Sequence, residues 1–428
     1  MIFEKIAALK ADGTYLPSCY VGVKGAHIRY VGVTPPDEDY GERINGENRL
    51  LMPGFVNAHT HVAMTLMRGY GEDLRLQSWL FDRIFPFEDK LFSEAVYWGS
   101  LLGIAEMLMT GTTSFTDMYY FCEDTVRAVA ESGIKANIGR GVSCFDATKR
   151  FADLPAYRDT KVLIEQYHGT EDGRILVDVA PHAEYTTRFD ILHDAAELAA
   201  GHNLRMHIHL SETASEHKEC VGRHGKTPTR LLEAVGMLGR PLTVAHGVWL
   251  TDDDVRCLSQ YDVTLAHCAK SNLKLGSGVA PVEKYRRMGL PVAIGTDSAA
   301  SNNALDMVDE MRMAALLAKG ISRNAGALPA GDVLYMGTRA GALSQGRADC
   351  GDIVEGYRAD LVVMDTTDVG LSPANAPLSN VLYGAGSRAV HMTIADGRVA
   401  YRAGEFLTLD IERVRFEVQR AVDKITGQ

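Results

Sequence analysis

The sequence predicts an α/β protein: a parallel (βα)8 TIM barrel carrying a small β-sandwich made from the N- and C-terminal segments. Three observations predict it. From Leu50 to about Leu343, short apolar runs that read as strands alternate with stretches that read as helices, and eight strands can be placed. The polar, chemically versatile residues fall at the C-terminal ends of those strands, the face on which barrel enzymes build their sites. Residues 1–49 and 344–428 instead read mostly as short β pieces, each needing a partner to bury its inner face.

In chain order, residues 1–49 offer Tyr20–Val23 and His27–Val31 as strands, with a loop over Thr34–Gly41. The expected barrel strands are Phe55–His61, Thr112–Asp117, Lys135–Gly141, Ile175–His182, Leu204–Leu210, Leu242–His246, Val263–His267 and Val292–Asp297. Helices are expected between them at Glu94–Met109, Glu123–Ser132, Phe189–Ala200, Pro228–Val235, Pro281–Met288 and Met307–Lys319. Past Leu343, β segments are expected at Gly351–Ile353, Ala359–Asp365, Val390–Ala395 and Gly397–Tyr401, and an amphipathic helix at Ile411–Ile425 closes the chain. The length of 428 residues suits a barrel of about 250 residues plus an accessory domain.

Composition narrows the class. Charged residues make up 23% and the formal net charge is -11, which disfavours nucleic acid and anionic membrane surfaces as partners. The 7 cysteines are irregularly spaced without a C-x-x-C pair, so neither a disulfide framework nor a thiolate zinc site is expected. No apolar run approaches the roughly 18 residues of a membrane span, and the first residues do not read as a secretory signal. A cytoplasmic location is the expectation.

Four motifs carry chemistry. In Asn57-Ala58-His59-Thr60-His61, alternate strand residues point the same way, so His59 and His61 share a face and together can seize a transition metal. In Met206–Glu212, His207 and His209 share a face and Glu212 follows, a carboxylate placed to move protons during a hydrolysis. Val244-Ala245-His246 ends an apolar strand in an imidazole that can orient the attacking water. Gly295-Thr296-Asp297 ends a buried strand in a carboxylate, costly to bury unless paired or metal-bound. Each alone reads more readily as a hydrogen-bonded core residue; four in order on one barrel point to a metal site.

The stretches PGFVNAHTH, HIHLSET, VAHGVWL and GTDSAASNN resemble the amidohydrolase superfamily, especially the branch of 5'-methylthioadenosine/S-adenosylhomocysteine deaminases and triazine chlorohydrolases. The resemblance implies a distorted barrel with metal ligands His59, His61, His209 and Asp297, Glu212 as proton shuttle, and His246 polarising the water. Asp297 would double as acceptor of a proton from the nucleophile. The fourth strand has no lysine for a second metal, so one divalent ion is expected; nitrogen and oxygen donors suit Zn²⁺, with Fe²⁺ and Ni²⁺ also compatible. The implied reaction is deamination of an adenosine-type nucleoside: S-adenosylhomocysteine, 5'-methylthioadenosine, 5'-deoxyadenosine or adenosine. Glu88 is the expected ribose ligand and His182 the purine contact. Arg140 is a candidate for a substrate carboxylate, or equally for a structural salt bridge, with Arg150 a weaker candidate. Trp79, Phe81 and Phe85 are candidate pocket walls, and 79–87 a candidate lid. Ala183-Glu184 and Ala269-Lys270 depart from the branch's pattern, and Lys270 is a candidate to counter Glu184. The family also implies a homo-oligomer, a dimer or tetramer. The rival readings are a deaminase or chlorohydrolase of another nitrogen heterocycle, guanine-like or triazine, and a non-catalytic scaffold of the same fold.

Overall fold

Eight strands run parallel in two arcs in the computed structural model, which describes residues 1–427. The first arc holds β1 (Phe55–Thr60), β2 (Thr112–Tyr119), β3 (Lys135–Val142) and β4 (Ile175–Val177), paired in sequence order. The second holds β5 (Met206–Leu210), β6 (Leu242–His246), β7 (Val263–His267) and β8 (Val292–Ile294), likewise in order. Backbone bonds bridge the arcs at both joins. His207 N–H donates to the Val179 carbonyl at 3.1 Å and His209 N–H to the His182 carbonyl at 3.0 Å. On the other side Asp297 N–H donates to the His59 carbonyl at 2.9 Å.

Two expected strands are shorter than the sequence suggests, for local reasons. The 175–182 run breaks after Val177 and resumes only at Ala180–Pro181. Asp178 turns its carboxylate to the Asn137 amide at 3.0 Å, and Pro181 has no N–H to donate to a ladder. The 292–297 run ends at Ile294, because side chains take over from the ladder. The Asn57 amide bonds both the backbone N–H (2.9 Å) and the hydroxyl (2.7 Å) of Thr296. Gly295 is required there: a Cβ would lie 2.9 Å from both the N and the Cβ of His59.

The intervening helices fall within a few residues of expectation. The helix Ser93–Met109 is buried on most sides, beneath the closing helix Ile411–Thr426. That closing helix is amphipathic and buries Val414, Val418, Ala421 and Ile425.

The terminal segments meet in one continuous hydrogen-bonded sheet, nine-stranded among the described residues. Ile2–Leu9 and Arg49–Pro53 pair in parallel, and Arg49–Pro53 pairs antiparallel with Leu361–Asp365, so the two termini interleave. The apolar lead-in Leu50–Met52 therefore belongs to this sheet, and the first of the eight parallel strands begins only at Phe55. The sheet wraps a core of its own that includes Phe3, Ile6, Val21, Leu51, Leu361 and Ile394. Gly351–Ile353, expected as β, is a bend: Ile353 joins that core while its backbone stays outside the ladder. Beneath the parallel strands, fully buried Lys135 reaches Asp360 and, at 2.6 Å, Asp396, tying the start of β3 to the terminal sheet.

Candidate metal centre and substrate pocket

At the C-terminal ends of the parallel strands the four motifs converge. β1 supplies His59 and places His61 one residue beyond its end; β5 supplies His209, β6 His246, and the turn after β8 supplies Asp297. Ser211, His246 and Asp297 all adopt positive φ (48°, 73° and 59°), a region non-glycine residues avoid. Each strained residue lies at or just past a strand end, where the turn redirects a side chain into the mouth.

The imidazoles are set up as acceptors facing inward. His61 Nδ1–H donates to the Met118 carbonyl at 2.5 Å and His209 Nδ1–H to the His182 carbonyl at 2.7 Å, leaving both Nε2 lone pairs free. Those two Nε2 atoms stand 3.2 Å apart, and Asp297 Oδ1 lies 3.3 Å from the Nε2 of both His59 and His61. His59 Nε2 is buried without a hydrogen-bond partner, while its Nδ1 meets His207 Nε2 at 2.9 Å. Lone pairs crowded together in this way repel one another unless a cation lies between them. Zinc–nitrogen bonds of about 2.0–2.1 Å in a tetrahedron put ligand atoms about 3.3–3.4 Å apart. The donor set and its spacing therefore fit a divalent ion. Two overlapping triads have all their ligand atoms within 4.8 Å: His59, His61 and Asp297; and His59, His209 and His246.

Burial opposes charge on His61, yet the Asp297 carboxylate overcomes it and raises this imidazole to about 9. His59 is lowered by burial to about 4, despite the same carboxylate. The other oxygen of Asp297 accepts from Ser271 (2.5 Å) and Ser301 (2.8 Å).

Glu212 lies just past β5, buried, accepting from Ser277 Oγ at 2.9 Å and 3.8 Å from His246 Nε2. Burial raises its carboxyl above the usual range, as suits a group that must both take and release protons. Its backbone is fixed by Glu216, whose carboxylate accepts from the N–H groups of Ser211 (2.8 Å) and Glu212 (2.7 Å). His246 donates Nδ1–H to Asn272 Oδ1 at 2.9 Å, so its Nε2 is an acceptor facing the cluster.

One pocket joins this cluster to the other candidates. His61, His209, Glu212, His246 and Asp297 line it on one side; Glu88, His182, Tyr119, Tyr185, Trp79 and Phe85 line the rest. Glu88 is half-buried, and burial raises it to about 7. His182 is driven down to about 3 by burial and by the neighbouring imidazoles, so it works as a neutral ring; its Nδ1 pairs with Thr186. Trp79 and Phe85 wall the pocket as expected, whereas Phe81 points outward, half exposed. Residues 76–88 are helical throughout, with one π-helical turn at Leu80–Ile84.

Arg140 stands outside this pocket. It lines an adjoining chamber of about 890 Å³ that shares Glu88, Phe85, Tyr120 and Ser143 with it, and its Nε donates to Asp159 at 3.0 Å. Arg150 is exposed and lines neither. The pairing of Lys270 with Glu184 does not occur. Glu184 is buried and bonded by Arg223 at 2.7 and 2.9 Å, and Lys270 reaches Asp309 at 2.7 Å. Each charge found a partner nearer along its own side of the fold.

Several supporting groups escaped the sequence reading: Ser271 and Ser301 on Asp297, Asn272 on His246, Ser277 on Glu212, and Tyr119 and Tyr185 in the wall; His207, which it did single out, stands behind His59. Only Glu216 left a usable signal. Thr213-x-x-Glu216 is a capping box, formed here with Thr213 Oγ1 accepting from Glu216 N–H at 3.2 Å.

Residues 50–400 match the model of the amidohydrolase family. A protein of Methanosphaera stadtmanae named 5'-deoxyadenosine deaminase is 42% identical over 388 residues, 90% of each chain. One of Syntrophomonas wolfei named 5-methylthioadenosine/S-adenosylhomocysteine deaminase is 36% identical over 433 residues, the full length of both. Among solved structures, an adenosine deaminase from Xanthomonas campestris with bound zinc superposes with a TM-score of 0.92 at 31% identity, covering 100% of this chain and 98% of that one.

Proposed function

Because this chain belongs to the amidohydrolase family, we propose that it is a metal-dependent hydrolase of non-peptide carbon–nitrogen bonds that deaminates adenosine-type nucleosides to the inosine-type product and ammonia. The carrying observation is that one pocket holds both the imidazole–carboxylate cluster around Glu212 and Glu88, a carboxylate able to accept from both vicinal hydroxyls of a sugar. The two arcs read as halves of one distorted (βα)8 barrel, supported by the bonds at 179–209 and 59–297 that bridge them.

His59, His61, His209 and Asp297 hold one divalent ion, for which Zn²⁺ is our choice on the donor set. When bound, such an ion supplies Lewis acidity that lowers the pKa of water from 15.7 to about 7. The chain's own groups do the rest. His246 accepts a hydrogen bond through Nε2 and so aims the attacking water. Asp297, anchored by two serine hydroxyls, accepts a proton from that nucleophile. Glu212 takes one proton from the attacking water and passes it to the ring nitrogen beside the reacting carbon, which breaks the ring's aromaticity. The second water proton, accepted by Asp297, is relayed through Glu212 to the departing amine, so ammonia leaves and both protons are accounted for. His182, neutral, packs against the purine, and Glu88 accepts from the ribose hydroxyls. The 5' substituent leaves toward the 890 Å³ chamber in which Arg140 stands.

Ammonia release by the zinc-loaded protein tests this reading. The panel is adenosine, 5'-deoxyadenosine, 5'-methylthioadenosine, S-adenosylhomocysteine, guanine and cytosine, with chloride release from a chlorotriazine. Preference for the nucleosides is expected. Turnover confined to bare heterocycles would overturn the substrate class, and no turnover with metal bound would overturn the activity.

A further inference from the structure

One group in the pocket wall has no work in the scheme above. Tyr119 ends β2, two residues beyond Asp117, and is 3% exposed. Its ring centroid lies 6.3 Å from that of His61 and 5.1 Å from that of Tyr120. It therefore stands on the wall that leads from the imidazole cluster to Glu88, and it lines the pocket. Its hydroxyl is buried and lies close enough to the Glu88 carboxylate to interact with it, but makes no hydrogen bond of good geometry.

Buried tyrosine hydroxyls ordinarily find a partner, because burying one unpaired forfeits the bond it made with water. A phenol orphaned deep in a closed core reads as a packing defect. One without a well-formed bond on the wall of a substrate pocket, beside a carboxylate already assigned to the sugar, has a place where its partner arrives. The surroundings also keep it a donor: burial and the nearby Glu88 charge hold the phenol protonated well above its ordinary range. An acidic acceptor and a neutral donor side by side suit a pair of vicinal hydroxyls, each of which both donates and accepts.

Resting on the nucleoside reading above, we propose that Tyr119 is a substrate-binding residue whose hydroxyl donates to a ribose hydroxyl seated against Glu88, so that the pocket selects ribosyl over deoxyribosyl substrates. Glu88 takes the hydroxyl hydrogens, and Tyr119 supplies one to a hydroxyl oxygen. The contact is polar and local, so removing it from either side should forfeit the same interaction.

The test removes the bond from each side in turn. Wild type and Tyr119→Phe are compared on 5'-deoxyadenosine, 2',5'-dideoxyadenosine and 3',5'-dideoxyadenosine. Failure of wild type to deaminate 5'-deoxyadenosine or any other nucleoside would defeat the parent reading before Tyr119 is at issue. With wild type active, Tyr119→Phe should lower kcat/KM on 5'-deoxyadenosine about tenfold, mainly through KM. On the dideoxy substrate that lacks the contacted hydroxyl, the loss should shrink to about twofold or less, the non-additivity of a shared contact. An equal loss on all three substrates, or none on any, overturns the proposal. If Tyr119→Phe does not fold, Tyr119→3-fluorotyrosine keeps the hydroxyl. Its ¹⁹F resonance should move on adding 5'-deoxyinosine and stay in place with 2',3'-dideoxyinosine; equal movement with both overturns the assignment.

Discussion

Two clusters of buried charge lie at opposite ends of the parallel strands, and they are built on opposite rules. Beneath the strands, Lys135 and Arg358 face Asp360 and Asp396, two cations against two carboxylates. Asp360 also accepts the Asp396 backbone N–H at 2.9 Å. Opposite charges meet, so the cluster is balanced in charge as it stands. At the mouth, four imidazoles surround one carboxylate, two Nε2 lone pairs face each other at 3.2 Å, and His59 Nε2 has no partner. That cluster gathers donors of one kind, the set that suits a bound cation. A buried polar group that is satisfied holds a fold together; one left unsatisfied beside a pocket is poised to bind something.

Removing the proton carrier at the mouth should give the largest effect. Glu212→Gln should lower kcat by about 10²–10⁴-fold while retaining the metal, measured by ammonia release beside metal analysis of the same sample. Normal turnover in that variant would end the proton-shuttle assignment. The opposite signature is expected below the strands. Lys135→Met leaves two buried carboxylates short of a cation and should cost about 3–5 kcal/mol in denaturant unfolding, with kcat per folded molecule unchanged. A Lys135→Met protein of full stability and low kcat would erase the distinction between the two clusters.

Smaller effects sharpen the contrast within the mouth itself. Glu88→Ala should raise KM for nucleosides roughly 10–100-fold while barely changing adenine, because only the former lose hydrogen bonds to a charged acceptor. Equal effects on both would mean that Glu88 does not read the sugar. The pH profile carries the same information more gently. Burial raises Glu88 to about 7, so it is neutral below that pH and an ionised acceptor above it. Its contribution to kcat/KM for nucleosides should therefore rise as pH climbs through 7, and Glu88→Gln should flatten that limb. A limb unchanged in Glu88→Gln belongs to another group.

Much of the site was legible in the chain because strand geometry is periodic. His59 and His61 share a face by the two-residue repeat of a strand, and His209, His246 and Asp297 each follow an apolar run that any reader of patterns would end there. The order of the motifs along the chain is the order of the strands, so their convergence followed from the fold class. Arg140 shows the limit: its strand-end position was readable, but the Asp159 beside it comes from a helix nineteen residues on.

The sequence by itself indicated the α/β class and put His59, His61, His209, His246 and Asp297 at or near strand ends, since these rest on local periodicity and residue type, while its resemblance to known sequences indicated the family. Tertiary structure alone decided the rest. It split the 175–182 run, drew Leu50–Met52 into the terminal sheet, gave Glu184 to Arg223 and Lys270 to Asp309, and left the Tyr119 hydroxyl without a well-formed hydrogen bond on the pocket wall. Each of these depends on which side chains from distant segments arrive within about 3 Å. Local pattern carries no record of such distances, because they are set only when the whole chain has packed.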